Sequence, residues 1–251
     1  MKIAIALRTC GKVFNYWNND LRIVDVDKET IILTCLNSLL KSIIASKYDT
    51  SLSIHDDSSS AETLTKINDL CNQYNISYEL INSGTHKNFQ TQYEWIKQQD
   101  CDYVYCVEDD YLHVESAIND MVDMCEFMKQ LLPSEYAVYP FNNPHRYTSF
   151  DMLYAVYVLK GPKGYWRSSF HSTHTFFITK QAFDQYDNIM QFQAYAWPNL
   201  TATEDATINN IWKEQQVKLM SPINSLAYHM ADNTQEEPFA DWRKLWNENL
   251  V

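Results

Sequence analysis

The chain has 251 residues, of which 45% are hydrophobic, 14% aromatic and 21% charged. That is enough for one large core-forming domain, too few for two comfortable ones, and unlike a disordered chain. Twenty basic against 32 acidic residues leave a net charge of −12, which argues against a nucleic-acid surface and requires that any anionic ligand be neutralised locally, by a few placed Lys or Arg or by a divalent metal on acidic ligands. No apolar run approaches a membrane span and no export signal opens the sequence, so the expectation is a soluble, cytoplasmic protein.

In chain order, Ile3–Leu7 reads as a buried strand. From Lys28 to Ser46, apolar residues recur at helical spacing behind Asp27 as N-cap. Leu52–His55 is a short strand ending in Asp56-Asp57, and Ser59 with Glu62 forms a capping-box pattern ahead of a second helix. Ser77–Leu80 is a strand, Phe89, Tyr93 and Ile96 mark a third helix, and Tyr103–Val107 is a strand rich in β formers. Strand and helix alternate, so a mostly parallel sheet follows. A long helix runs from about Val114 to Leu132 and stops at Pro133. Strands are expected at Tyr136–Tyr139, Met152–Leu159 and Thr175–Thr179, with a turn at Lys160–Gly164. Helices are expected at Lys180–Phe192 and Ala206–Gln215, a late strand at Ser225–His229, and a docked tail helix carrying Phe239, Trp242, Leu245 and Trp246.

Four glycines exclude a Gly-rich phosphate loop and leave many turns to Asn, Asp and Ser. Six cysteines without a Cys-x-x-Cys pair read as buried thiols.

Three acidic constellations carry the chemistry. Glu108-Asp109-Asp110 follows directly on the strand Tyr103–Val107. Three adjacent carboxylates there are costly to desolvate without a cation, and oxygen ligands suit Mg²⁺ or Mn²⁺; the competing reading is an acidic turn that caps the next helix. Asp56 and Asp57 end the second strand of the same sheet, where carboxylates meet ribose or base, or merely cap a helix. Thr203-Glu204-Asp205 opens a helical pattern, either as a general base towards an alcohol or as an N-cap with first-turn acids. His229 is either an ordinary strand residue or the completion of a metal shell begun by Asp110. Arg8 and Lys87 are candidates for donor contacts and Arg167 for phosphate or acceptor, against the ordinary reading of surface charges. Tyr165, Trp166, His171, His174, Tyr195 and Trp197 offer flat faces suited to sugar rings, or else are core and rim aromatics.

Taken in order, these pieces resemble the GT-A fold glycosyltransferases, family 2-like in particular. The matching segments are Ile3–Thr9, then Leu52–Ser60 with its Asp-Asp-x-Ser turn, Tyr105–Asp110 as the Asp-x-Asp element and Thr203–Asp205 as the Glu-Asp element. The resemblance rests chiefly on residues 1–112 and continues more sparsely to about 230. It implies a single α/β, Rossmann-like domain with a mostly parallel sheet flanked by helices and a smaller mixed region on the acceptor side. Residues 1–112 would then form the nucleotide-sugar half and 113–251 the acceptor and catalytic half. It further implies that Arg8, Thr9, Asp56, Asp57, Lys87, Glu108 and Asp109 contact a UDP-, GDP- or dTDP-linked sugar. Asp110, assisted by Glu108 and His229, would hold Mn²⁺ or Mg²⁺, and Asp205 with Glu204 would serve catalysis with inversion. Trp166, His171, His174 and Trp197 would meet a carbohydrate or other hydroxyl acceptor. Glu108 stands where the family usually has Asp, and the Cys10–Asp27 segment is longer than the family's short turn. The Gln-x-x-Arg-Trp motif of processive synthases is absent. The alternatives are a sugar-phosphate nucleotidyltransferase and a catalytically inert carbohydrate- or nucleotide-binding domain.

Overall fold

A computed structural model describes residues 1–11, 23–83, 87–131, 133–147, 156–189, 204, 207–214, 217–230 and 241–251. Its centre is a nine-stranded sheet in the order β3-β2-β1-β4-β9-β6-β10-β8-β7. The strands are β1 Lys2–Thr9, β2 Asp49–Asp56, β3 Tyr78–Asn82, β4 Tyr103–Glu108, β6 Glu135–Val138, β7 Val158–Gly161, β8 Gly164–Ser169, β9 Phe176–Thr179 and β10 Val217–Pro222. Only β8 and β9 run against the rest. A separate antiparallel pair joins β5, Tyr111–His113, to β11, Ala227–His229. The helices are α1 Lys28–Ile44, α2 Ala61–Gln73, α3 Asn88–Lys97, α4 Ala117–Leu131, α5 Lys180–Gln185, α6 Ile208–Lys213 and α7 Trp242–Asn249. This is the α/β architecture with a mostly parallel sheet that the alternation of strand and helix implied.

The central strands are continuous apolar runs because both faces are covered. Residues Ile3 to Leu7 of β1 and Tyr103 to Val107 of β4 are all buried. Asp27 caps α1 by accepting from the Thr30 N–H at 2.7 Å. The cap of α2 is Ser60, one residue later than the expected Ser59: its hydroxyl accepts from the Thr63 N–H at 3.1 Å and meets the Thr63 hydroxyl, so Glu62 takes no part in the box. The expected turn at Lys160–Gly164 is a hairpin, with Pro162 and Lys163 between β7 and β8. Gly164 there has φ +137°, open only to glycine at low cost. A Cβ on Gly161 would lie 2.7 Å from Trp166 Cδ1.

Three short strands, β5, β8 and β10, were not anticipated. The helix expected from Val114 begins at Ala117, because Tyr111–His113 is taken into the β5/β11 ladder. The expected strand Met152–Leu159 is observed only from Val158, its residues up to 155 being outside the described set. All six cysteines are free thiols, with Cys10 and Cys101 partly exposed. Among the described residues, no helix is long and apolar enough to cross a membrane.

Candidate functional site

The sheet register places the acidic residues. β1 lies between β2 and β4, with Thr9 opposite Asp56 and Arg8 opposite both His55 and Glu108. All three strands run the same way, so their carboxyl ends share one edge. The chain steps from β1 outward to β2 and β3 and then returns to β4 on the other side of β1. Such a reversal of strand order is the usual ligand position in open α/β sheets.

On the β2 side, Asp56 is committed to its own turn. One carboxylate oxygen accepts from the Thr9 hydroxyl at 2.8 Å and the other from the Ser59 N–H at 3.1 Å. The Asp57 N–H donates to the Thr9 carbonyl, and Asp57 accepts from the Ser58 hydroxyl. Ser58 takes φ 69°, the left-handed turn that a glycine often fills. Asp56 and Asp57 are both buried. Thr9 and Asp56 therefore build the turn that carries Asp57. Lys87 stands exposed just before α3.

On the β4 side, each carboxylate meets a different partner. Glu108 accepts from Arg8 Nη2 at 3.0 Å, and its backbone N–H donates to the Thr175 hydroxyl. Asp109 accepts from Lys28 Nζ at 2.5 Å and from the Cys10 N–H at 2.8 Å. Asp110 Oδ2 lies 3.5 Å from His229 Nε2 and 4.0 Å from Lys28 Nζ. Burial pushes the Glu108 and Asp109 carboxyls above their ordinary range, against the pull of Arg8 and of Lys28. Burial acts on Asp110 in the same sense, but His229 and Lys28 together hold it well below. Lys28 is desolvated too, yet Asp109 and Asp110 keep it above the usual lysine value.

The proximity of His229 to Asp110 follows from local pairing. The β5/β11 ladder sets His229 opposite Tyr111, the two rings stack at 4.8 Å, and the Met230 N–H donates to the Asp110 carbonyl at 2.8 Å. A divalent cation has a partial fit here. Asp110 Oδ1 is buried with no hydrogen-bond partner, and an imidazole nitrogen stands close to the other oxygen of the same carboxylate. Among the described residues there is no group of three or more His, Cys, Asp or Glu arranged to hold a metal. Glu108 and Asp109, expected near the cation, are turned to Arg8 and Lys28.

A second line of contacts leads away from Glu108. Arg8 lies 3.3 Å from the centre of the Phe89 ring, Phe89 meets His174 edge-on at 4.4 Å, and His174 Nε2 stands 3.2 Å from Glu204 Oε1. Burial, and then Arg8, hold the His174 imidazole well below its ordinary value. His174, expected on the acceptor side, is buried. His171 and Trp166 are buried as well: Trp166 packs against Gly161 inside the main core, because β8 is an inner strand rather than a rim loop. Arg167 is buried with its guanidinium 4.9 Å from the Tyr147 ring centre. Tyr165 is 60% exposed. Thr203, Asp205, Tyr195 and Trp197 lie outside the described residues.

Sequence reasoning missed Lys28, Phe89 and Thr175 as site residues. Lys28 follows a helix cap, and no local pattern connects it to Asp109.

No protein-family model and no curated protein matches the chain. Solved structures do. TarS 1–349 of S. aureus in complex with UDP-GlcNAc superposes with a TM-score of 0.52 at 13% identity, over 98% of this chain and 64% of that one. The apo-form glycosyltransferase GlyE of Streptococcus pneumoniae TIGR4 superposes with a TM-score of 0.50 at 12% identity, over 100% and 60%. A cytidylyltransferase from Leptospira borgpetersenii reaches 0.45, too low to weigh between functions. The chain thus spans less than two thirds of the length of the TarS and GlyE chains. At this level of identity the likeness concerns architecture: the chain has a GT-A-like glycosyltransferase fold.

Proposed function

We propose that this chain is a glycosyltransferase that moves a sugar from a nucleotide-sugar donor to an acceptor hydroxyl. The observation that carries the reading is the delivery of Arg8, Glu108, Asp109 and Asp110 to one sheet edge, at the reversal of strand order, in a fold shared with a protein solved with UDP-GlcNAc. The β1/β2 turn, with Asp57 carried by the Thr9–Asp56 contact, would receive the base and ribose of a UDP-, GDP- or dTDP-linked donor. Asp110 and His229 would hold Mn²⁺ or Mg²⁺. A divalent ion supplies positive charge to a diphosphate as its bond to the sugar breaks. Arg8 and Lys28 bring positive charge to this edge of an acidic protein.

On the acceptor side, Asp205 would take the hydroxyl proton as its oxygen attacks the anomeric carbon from the face opposite the departing nucleoside diphosphate, which gives inversion. Glu204 would sit beside that base, its carboxylate 3.2 Å from His174 Nε2. Residues 1–112 and 113–251 then serve as donor and acceptor halves.

The product decides the matter. Incubated with Mn²⁺, acceptor sugars and UDP-, GDP- or dTDP-sugars, the protein should release a nucleoside diphosphate. Pyrophosphate release from a nucleoside triphosphate and a sugar phosphate would make it a nucleotidyltransferase instead. Release of neither product, despite tight sugar binding, would make it a binding domain.

A further inference from the structure

Of the three carboxylates at the end of β4, Asp109 has the most closed environment. Its side chain is 9% exposed, and its oxygens are engaged by Lys28 Nζ at 2.5 Å and by the Cys10 N–H at 2.8 Å. Lys28 itself is only 18% exposed, and its ammonium reaches Asp110 Oδ2 at 4.0 Å. One lysine therefore stands between two neighbouring carboxylates, at bonding distance from the first and a short step from the second. Asp110 alone keeps a buried oxygen without a hydrogen-bond partner.

Resting on the donor-cation reading above, we propose that Asp109 is not a cation ligand but a positioning residue, which keeps the Lys28 ammonium on itself and no nearer than 4.0 Å to Asp110, so that the unpartnered Asp110 Oδ1 is left for a divalent ion beside His229. Charge and geometry agree on this division. An ammonium released from Asp109 finds Asp110 as the nearest carboxylate and would pair with it, since a desolvated lysine needs a counter-charge. Asp110, so paired, would bind a cation less well. The Cys10 N–H, just after β1, supports the arrangement, because a second donor keeps Asp109 turned towards Lys28.

Mn²⁺ titration followed by the free-ion electron paramagnetic resonance signal tests this on the intact protein, with UDP present and absent. Four proteins are compared: wild type, Asp110→Asn, Asp109→Asn and the double variant Lys28→Met/Asp109→Asn. The double variant has the net charge of the wild type and leaves no buried ion unpaired, so it also controls for folding. Asp110→Asn should weaken Mn²⁺ binding by about tenfold or more. Asp109→Asn should weaken it by a similar factor, because the ammonium moves onto Asp110. Removing that ammonium as well should restore affinity to within about twofold of wild type.

If the double variant binds as poorly as Asp110→Asn, Asp109 is a ligand and the proposal falls. Asp109→Asn at wild-type affinity would equally remove the positioning role, as would a wild-type protein that binds no Mn²⁺. Sugar transfer from UDP-GlcNAc in chelator-treated buffer, measured alongside, shows whether the transferase reading survives that last result.

Discussion

Arg8 ties the two sides of the site together. Its guanidinium donates to Glu108, covers the Phe89 ring and adds to burial in lowering the basicity of His174, which in turn stands against Glu204. Nothing in residue type alone distinguishes His174 from an exposed aromatic that stacks on a sugar; the difference is burial, which only the packing of α3 against the sheet supplies. The same holds for Trp166 and His171. Motif position located Asp110 and the strand-end acids, since a carboxylate after a buried strand has to emerge at the sheet edge. Lys28 was illegible for the opposite reason, its partner lying 81 residues away. If His174 positions Glu204, His174→Ala should lower kcat by about a hundredfold, the scale on which small misplacements of reacting groups act, while the donor Kd stays unchanged. Steady-state kinetics with donor titration checks this; equal loss of donor affinity would assign His174 to binding or to general stability.

At the scale of elements, capping and turn chemistry were largely readable. With glycine scarce, α2 is followed, just past its C-cap Tyr74, by Asn75 at φ 54°, and the Ile76 and Asn75 N–H groups close back on the Cys71 and Asn72 carbonyls at 3.0 Å. That is a glycine-type helix stop made with asparagine. The strands that escaped notice are β5, β8 and β10. β5 is only three residues long, and the Gly164–Ser169 and Val217–Pro222 segments mix polar with apolar residues, so neither period stands out. The tail did stand out. Trp242 and Trp246 of α7 are buried with Ile31 and Cys35 of α1, Leu112 of β5 and Met230 in a second apolar cluster. Asn37 and Lys41 of α1 donate to the Asn249 and Glu248 carbonyls. This cluster backs both α1, which carries Lys28, and the β5/β11 ladder, which carries His229. Trp246→Ala should accordingly cost about 3–5 kcal/mol, read as a lower urea midpoint; a loss below about 0.5 kcal/mol would mean that the helix is not docked as described.

For the molecule as a whole, the alternation of strand and helix was enough to expect the α/β class, while the order of strands was not. Placing β9 between β4 and β6, and β10 between β6 and β8, depends on pairings between residues far apart in sequence. The order β2-β1-β4 puts acids on both flanks of the end of β1. The net charge of −12 belongs to the same scale. Far from the site it would repel the anionic donor proposed above, so binding would have to be concentrated where Arg8 and the cation proposed at Asp110 act. The most direct measurement is isothermal titration of UDP, GDP and dTDP in the presence of Mn²⁺, on the wild-type protein and on Asp110→Ala. At least one nucleotide should bind the wild type, and the substitution should weaken it by about tenfold or more. An Asp110→Ala protein that binds its nucleotide as tightly as the wild type would contradict the account.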